Sequence, residues 1–580
     1  MGSLAYLALS YAWGEPIFSE HIHDIATGNS TRITSNLHAA LQTLRRRDQD
    51  LYIWIDAVCI HQSSMLERNH QVKNMASIYR QASEVLVWLG QEDSGDIMSF
   101  FATLCPTSGE ELTCTLYFDD MNVDEGRDAD NIREALKFTA SRRHRKKLIL
   151  ECNRAAIGAF FDMPWFTRVC VIQEFLLARD VIFFTGEEHT SLYFLQRAIN
   201  VLFEHHDLLQ KCHYDRVHGN WDKYLDAIRS ARELIESRQM ILPTKKRTSK
   251  SLYQCCRMLI DRSCSDKRDK VYAALGLAKD DLGITPDYKK SFDEVCIDFA
   301  RRSIQSEDFS VLHYSDKSWL DDACSSSKPS FVPDLHAEHS RPLPAPLGGA
   351  DSPSYEAGAL RQSAVYLSKS LTIDIRGVRV NVVGHLESFA EVITDLPFGR
   401  GSPFKTQFNE AYQRVHVIYN GTFGITGDLA SKFASFKLAF WRTLHLGKCP
   451  RRNEVQYIAK TDFRFLDLAD RTNITESLKN RVFFMIELGF IGLGPPWLEE
   501  QDTVVVFDGA ETPFILRPFW NEDGIERWKV IGDCYLEGWM DGRYFKFEIA
   551  DDTSHDASGP SESKRDGEPV EGNVLKNEFF

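Results

Sequence analysis

The sequence predicts an α/β fold: an N-terminal, mostly parallel sheet flanked by helices in flavodoxin-like order, then a helix-rich region and a C-terminal β-rich α+β module. Three observations predict it. Leu51–Gly90 reads as buried strand, polar elbow, amphipathic helix and second buried strand in unbroken succession, which is a βαβ unit. Strand and helix patterns alternate over residues 1–190, as a parallel sheet covered by helices on both faces requires. Arg481–Tyr535 carries several short β-rich runs separated by turn residues. At 580 residues the chain also exceeds the ~250–300 at which one hydrophobic core stops growing, so several domains are expected.

The elements follow in order. Tyr6–Tyr11 is a short strand, Asn36–Arg47 a helix and Tyr52–Ile55 the second strand, whose apolar run ends at Asp56. The next helix carries Val72, Met75, Tyr79 and Ala82 on one stripe, with Ser63 or Ser64 as cap and Glu67 in its first turns. Val85–Leu89 is the third strand. Ser94–Asn131 reads as an irregular acidic insertion, Glu134–Phe161 as helix, Trp165–Leu177 as one helix and Val181–Thr185 as a buried strand. Residues 191–322 form a helical extension, clearest at Tyr253–Ile260, Val271–Leu277 and Phe292–Ser303. Residues 323–364 are rich in Pro, Ser and Gly and read as a linker or loop. The module over 365–550 holds strands within Val365–Val383, helices at Phe408–Tyr419 and Leu429–Leu446, and strands Val482–Ile486, Thr503–Phe507, Phe514–Leu516 and Lys529–Ile531. Gly492–Pro496 and Asp508–Gly509 read as turns, and 551–580 as a disordered acidic tail.

Composition narrows the function. A formal charge of −15 argues against a nonspecific nucleic-acid binder, which needs cations to neutralise phosphates. The basic run Arg142–Lys147 reads as a solvated face. No stretch reaches the ~18–20 apolar residues that span a bilayer. Thirteen cysteines, odd in number and without a CxxC pair, suit reduced thiols in the cytoplasm rather than disulfides or zinc. His21, His23, His205, His206 and His213 lack the carboxylate spacing of a metal site. Neither GxGxxG nor GxxxxGK[ST] follows Gly14 or Gly90, so a dinucleotide fold or P-loop is not expected.

Four ordered blocks carry a family resemblance. Leu9–Gly14, then Trp54–Gln62 with Glu67, Gln71, Met75 and Tyr79, then Trp165–Glu174, and finally Asp266–Leu277 resemble the heterokaryon incompatibility (HET) domain of filamentous fungi and the segment that follows it. Arg481–Gly542 resembles the C-terminal module common in such proteins. Two positions depart from the pattern: His61 stands where the family usually has Asn or Asp, and Cys170 where it usually has an aromatic residue. The chain also begins almost at its first motif, whereas family members commonly carry some tens of residues before it, so the resemblance implies that a leading strand is missing here.

Ligand-handling side chains of open parallel sheets lie at the carboxyl ends of the strands. Asp56, closing a buried strand, is therefore the first candidate, with Ser10, Tyr11, Trp13 and Gly14 from the preceding strand beside it. As a structural residue, Asp56 would instead accept amides of the elbow. Glu174, with Gln173 and Arg168, forms a second group. Arg168 and Glu174 are six apart and share no i, i+4 face, so Arg168 is expected to pair across the domain, with Asp56 or another carboxylate. Glu174 is either an acid–base residue or a salt-bridge partner that fixes its helix. Glu67 and Gln71 are four apart and face the same cleft, or merely complement a helix dipole. Cys59 and His61 sit two apart without an oxyanion hole, and Gln62 completes the motif.

The resemblance implies a cytoplasmic effector that triggers growth arrest or cell death when unlike hyphae fuse, with other incompatibility proteins and further copies of itself as partners. The HET domain has been considered a distant relative of the Toll/interleukin-receptor (TIR) fold, some members of which cleave NAD. That relation implies a second function, in which no cofactor is required, NAD is the substrate, and Glu67 or Glu174 stabilises the oxocarbenium-like state. A third is a non-catalytic scaffold whose cleft recognises a partner protein.

Overall fold

The computed structural model describes residues 5–91, 97–104, 154–204, 228–238, 250–314, 328–335, 355–387, 410–419, 429–447, 474–542 and 577–579, less a few short gaps. The chain divides into two compact units, Met1–Phe292 and Asp293–Phe580. The basic run, most of the acidic insertion, the first part of the helix expected from Glu134, His205, His206, His213 and most of the Pro/Ser/Gly-rich segment lie outside the described residues.

The first unit is built on a five-stranded sheet. Its strands are β1 (Leu7–Tyr11), β4 (Ile53–Trp54), β5 (Val85–Trp88), β6 (Val181–Thr185) and β7 (Glu188–Ser191), in the order β4-β1-β5-β6-β7. The first four are parallel and β7 returns antiparallel. Counted along the chain, the parallel strands run 2-1-3-4, the flavodoxin-like order expected. A separate hairpin of β2 (Glu20–His23) and β3 (Ser30–Ile33), absent from the sequence reading, precedes α1 (Ser35–Leu44). Its strands are mostly exposed, so no buried period marks them.

Helices cover both faces. On one side Leu37, Ala40 and Leu44 of α1 bury against Leu9, Tyr11, Leu86, Trp88, Ile182 and Phe184. On the other lies α2 (Met65–Gln81), capped by Ser64, whose hydroxyl accepts the Glu67 amide. It packs on α5 (Cys170–Leu177) and α8 (Asp269–Leu275). Between them in sequence come α3 (Ile97–Thr103), α4 (Arg154–Phe161), α6 (Leu192–Glu204) and α7 (Leu252–Leu259). Alternation along β6 decides the sides: Phe183 meets Trp165 and Phe175, while Ile182 and Phe184 face α1.

The helix expected over Trp165–Leu177 is broken. Pro164–Thr167 is a single 3-10 turn, Arg168 is extended at φ −84, ψ 149, and α5 begins at Cys170. The cause is competition for backbone groups. The Thr167 carbonyl accepts the Ser263 amide at 2.7 Å, the Val169 amide donates to the Ser263 carbonyl at 2.9 Å, and Arg262 donates to the Phe166 carbonyl at 2.5 Å. These bonds replace the i→i+4 ladder across Arg168.

The second unit holds α9 (Phe292–Gln305), α10 (Leu429–Leu444) and a sheet with the path β14-β13-β12-β9-β10-β11-β15. The strands are β9 (Ile373–Glu387), β10 (Val482–Ile486), β11 (Ile491–Gly494), β12 (Thr503–Phe507), β13 (Phe514–Trp520), β14 (Glu526–Asp533) and β15 (Tyr535–Leu536). Strand β14 pairs with β13 at one end of the path, and its continuation β15 pairs with β11 at the other. The same stretch of chain therefore joins both edges and closes the sheet into a barrel, which removes exposed edges. Val378, Val380, Val383, Phe484, Ile486, Val504, Val506, Ile515, Ile531 and Leu536 fill one core. Phe483 and Met485, on the opposite face of β10, pack with Phe436, Phe440, Trp441 and Leu444 of α10. A register shift opposite Val504/Val505 lets β9 change parity, so Val380 and Val383 both point inward.

Two expectations for this unit are corrected. Gly492–Gly494 is not a turn but part of β11. A Cβ on Gly492 would stand 2.3 Å from the Tyr535 carbonyl, so the glycine permits close approach of β15. The acidic tail is not disordered throughout, because β16 (Asn577–Phe579) pairs antiparallel with Arg376–Val378 of β9. That stretch of β9 is beyond the reach of β10, which pairs only from Val383 onward, and its backbone groups take whatever strand is offered. Residues 543–576 lie outside the described residues. β8 (Val365–Leu367) pairs antiparallel with Ile373–Ile375 of β9.

Candidate functional site

The site is assembled from the carboxyl ends of β1 and β4 and the start of α5. The elbow after β4 is a short helical turn, Asp56–Cys59, which places Asp56 beside Trp13. The Trp13 indole donates to Asp56 Oδ2 at 2.9 Å, and the Ala57 amide donates to Oδ1 at 2.7 Å. Asp56 is therefore an acceptor for the elbow, as the structural reading requires, and it also borders the cluster. Trp13, Asp56, Arg168 and Cys170 are half-buried and form the rim. Ser10, Tyr11, Tyr79 and Glu174 are buried and form the floor. Trp165, fully buried, donates its indole hydrogen to Ser10 Oγ at 2.8 Å.

The electrostatics follow from burial. Loss of water pushes the Glu174 carboxyl up to about 8, and the Asp56 charge adds to it, with Ser10, Arg168 and Tyr79 pulling back. Burial pushes Asp56 up to about 6 against the Trp13 and Ala57 hydrogen bonds and Arg168. Arg168 loses hydration too, but Cys170, Glu174 and Asp56 outweigh that loss and raise its pKa. Burial pushes the Cys170 thiol up to about 12, with Glu174 adding, so it stays a protonated thiol rather than a nucleophile. Tyr11 and Tyr79 are raised mainly by burial. At neutral pH the cluster holds one cation, one carboxylate and one protonated carboxyl. Glu174 Oε2 and Arg168 Nε, both shielded from water, have no hydrogen-bond partner among the described residues. The cluster thus retains unspent donor and acceptor capacity.

Other motif residues lie elsewhere. Glu67 Oε1 accepts the His61 amide at 3.2 Å, and Gln62 donates to the Asp56 carbonyl at 2.9 Å, so both stabilise the elbow. Cys59 is exposed, its sulfur accepting the Ile55 amide at 3.5 Å, while the His61 ring contacts Ser63 Oγ at 2.7 Å. Gln71 is half-buried on α2, and Gly14 takes φ +73 after β1. Gln173 is buried against Gly276, where a Cβ would come within 1.9 Å of its Nε2. It packs α5 against the end of α8.

The fourth block is also structural. Lys270 is 1% exposed and donates to the carbonyls of Leu259, Ile260 and Arg262, closing the carboxyl end of α7. Arg268 forks onto Asp266 and onto the carbonyls of Tyr288 and Lys290. Arg68 of α2 lies 3.8 Å over the Tyr288 ring. Among the described residues no group of three or more His, Cys, Asp or Glu is placed to hold a metal, and His21 and His23 are stacked 6.5 Å apart on the outer hairpin. No described helix is long and apolar enough to cross a membrane.

The arrangement coincides with a family signature. Residues 6–174 match the heterokaryon incompatibility protein (HET) family, a span that starts at β1 and ends at Glu174. The chain is a HET-domain protein. Residues 469–553 match the Het-6 β-barrel domain, which agrees with the closed sheet, although β9, the strand that joins its two halves, precedes the matched span. Across 635 aligned positions the HET-domain chain is 26% identical to "Heterokaryon incompatibility protein 6, OR allele" of Neurospora crassa, covering 94% of this chain and 90% of that protein. No solved structure matches it.

Proposed function

We propose that this HET-domain protein is a cytoplasmic effector of heterokaryon incompatibility, its first unit triggering growth arrest or cell death when unlike hyphae fuse. The observation that carries this reading is the joint match of both ends: a HET domain over 6–174 and a Het-6 barrel over 469–553, in a chain aligned over most of a Neurospora incompatibility protein. Other incompatibility proteins and further copies of this chain are its proposed partners. Inducible expression of the full chain in a filamentous fungus tests it. Arrest of hyphal growth is expected, and its loss in Asp56→Asn with Arg168→Ala, at unchanged protein level, ties the arrest to the cluster. Normal growth at high expression of the wild type, alone and after fusion with unlike strains, counts against it.

A second reading, NAD cleavage, is favoured by the flavodoxin-like strand order, with carboxylates and a guanidinium at the carboxyl ends of β1 and β4. Chemistry selects among the carboxylates. An oxocarbenium-like state needs an ionised group, and Glu174 holds its proton at neutral pH while Glu67 is committed to the His61 amide. Asp56 is the better anion, with Glu174 as the proton-holding neighbour. Nicotinamide release from NAD by the purified chain, abolished by Asp56→Asn, supports this reading; no release at high protein concentration returns the HET domain to a binding role.

A further inference from the structure

A cavity of about 480 Å3 lies in the first unit, outside the HET match, between α6 and a helix over residues 230–238. Gln196, Asn200 and Phe203 line it from α6, and Arg232, Ile235 and Glu236 from the facing helix. We propose that it binds a small, planar, uncharged ligand with amide-type edges, of the nucleobase or nucleoside class.

The chemistry of the walls points there. Gln196 and Asn200 are one helical turn apart, so their carboxamides stand on the same stripe. Both are half-buried, and neither has a hydrogen-bond partner among the described residues. Each carboxamide offers a donor and an acceptor side by side, the pattern that reads the edge of a base. Arg232 bonds Glu236 at 2.7 Å through Nε and lies 4.0 Å over the Phe203 ring, so its guanidinium is held in place from two sides. A fixed guanidinium plane is a stacking surface for another planar ring. Ile199 and Ile235, both buried, supply an apolar floor. Because Arg232 and Glu236 neutralise each other, the walls carry no net charge, which disfavours a free anion or metal. The volume falls in the ~300–1,000 Å3 range of small-molecule sites.

Saturation-transfer NMR on the full chain with adenosine, guanosine, cytidine and uridine, each at about 1 mM, tests the proposal. At least one nucleoside is expected to bind, at least tenfold more weakly in Asn200→Leu and in Gln196→Leu. Asn200→Asp, which keeps the acceptor and removes the donor, is expected to change the preference among the four bases. Unchanged circular dichroism identifies the folded variants, and both Leu substitutions alter half-buried side chains without a hydrogen-bond partner among the described residues. Absence of binding by all four, or binding equal in wild type and both Leu variants, overturns the assignment.

Discussion

Glu174→Gln isolates the energetic cost of the buried carboxyl. Glu174 is 3% exposed, and its carboxyl is raised from 4.5 to about 8 in the folded protein. A folded pKa above the unfolded one gives stability that is complete below about pH 4.5 and is lost as pH rises toward 8. Across that window the folded state holds a proton that the unfolded state has released, so each pH step costs about 1.4 kcal/mol. Asp56, raised to about 6, is half-titrated at pH 6 and contributes only about 0.4 kcal/mol of further change above it, so Glu174 dominates from pH 6 to 8. The first unit should lose roughly 2–3 kcal/mol between these values. Glutamine mimics the protonated carboxyl and cannot ionise, so the variant's curve should be flat relative to wild type. Pulse proteolysis in urea, read by mass spectrometry on peptides from residues 1–292, follows that unit within the intact chain. The difference in slope between wild type and Glu174→Gln removes the contribution of histidines shared by both. Parallel slopes from pH 6 to 8 would refute the assignment of a neutral Glu174.

Three further substitutions test the packing around the site and the barrel. Gly276→Ala drives a Cβ onto Gln173 and Ala76, and should cost roughly 1–3 kcal/mol of first-unit stability in the same assay. Lys270→Met leaves three carbonyls at the end of α7 without their charged donor and should cost roughly 3–5 kcal/mol, with faster hydrogen exchange in Leu252–Ile260. Arg481→Ala strands Asp533 in a pair whose side chains are only 3% and 4% exposed, and should lower barrel stability by roughly 3–5 kcal/mol while peptides of the first unit keep their protection.

The core strands of the first unit were legible because a buried parallel strand is a continuous apolar run, and Val181–Thr185, Val85–Trp88 and Leu7–Tyr11 are such runs. The cap at Ser64 was legible because it is local chemistry. Exposed or very short elements left no such mark, as with β2, β3 and β15. Asp56 stands out in the sequence as a carboxylate closing an oily strand and Glu174 as part of the third family block, yet Gln173, adjacent to Glu174, packs on Gly276.

The sequence by itself determined what depends on neighbours within a few residues: the apolar periods, the capping hydroxyl, the charged interruption at Asp56, and the family blocks. Only the tertiary structure decided what depends on distant backbone. Ser263, 95 places along from Arg168, withdraws Arg168 from a helix and turns its side chain toward Asp56 and Glu174. Strands β14 and β15 close the barrel because one continuous segment meets two edges that are remote in sequence. The protonation state of Glu174 belongs to the same class. A carboxyl's affinity for its proton is set by the water removed around it and the charge brought near, and both come from chain folded in from elsewhere.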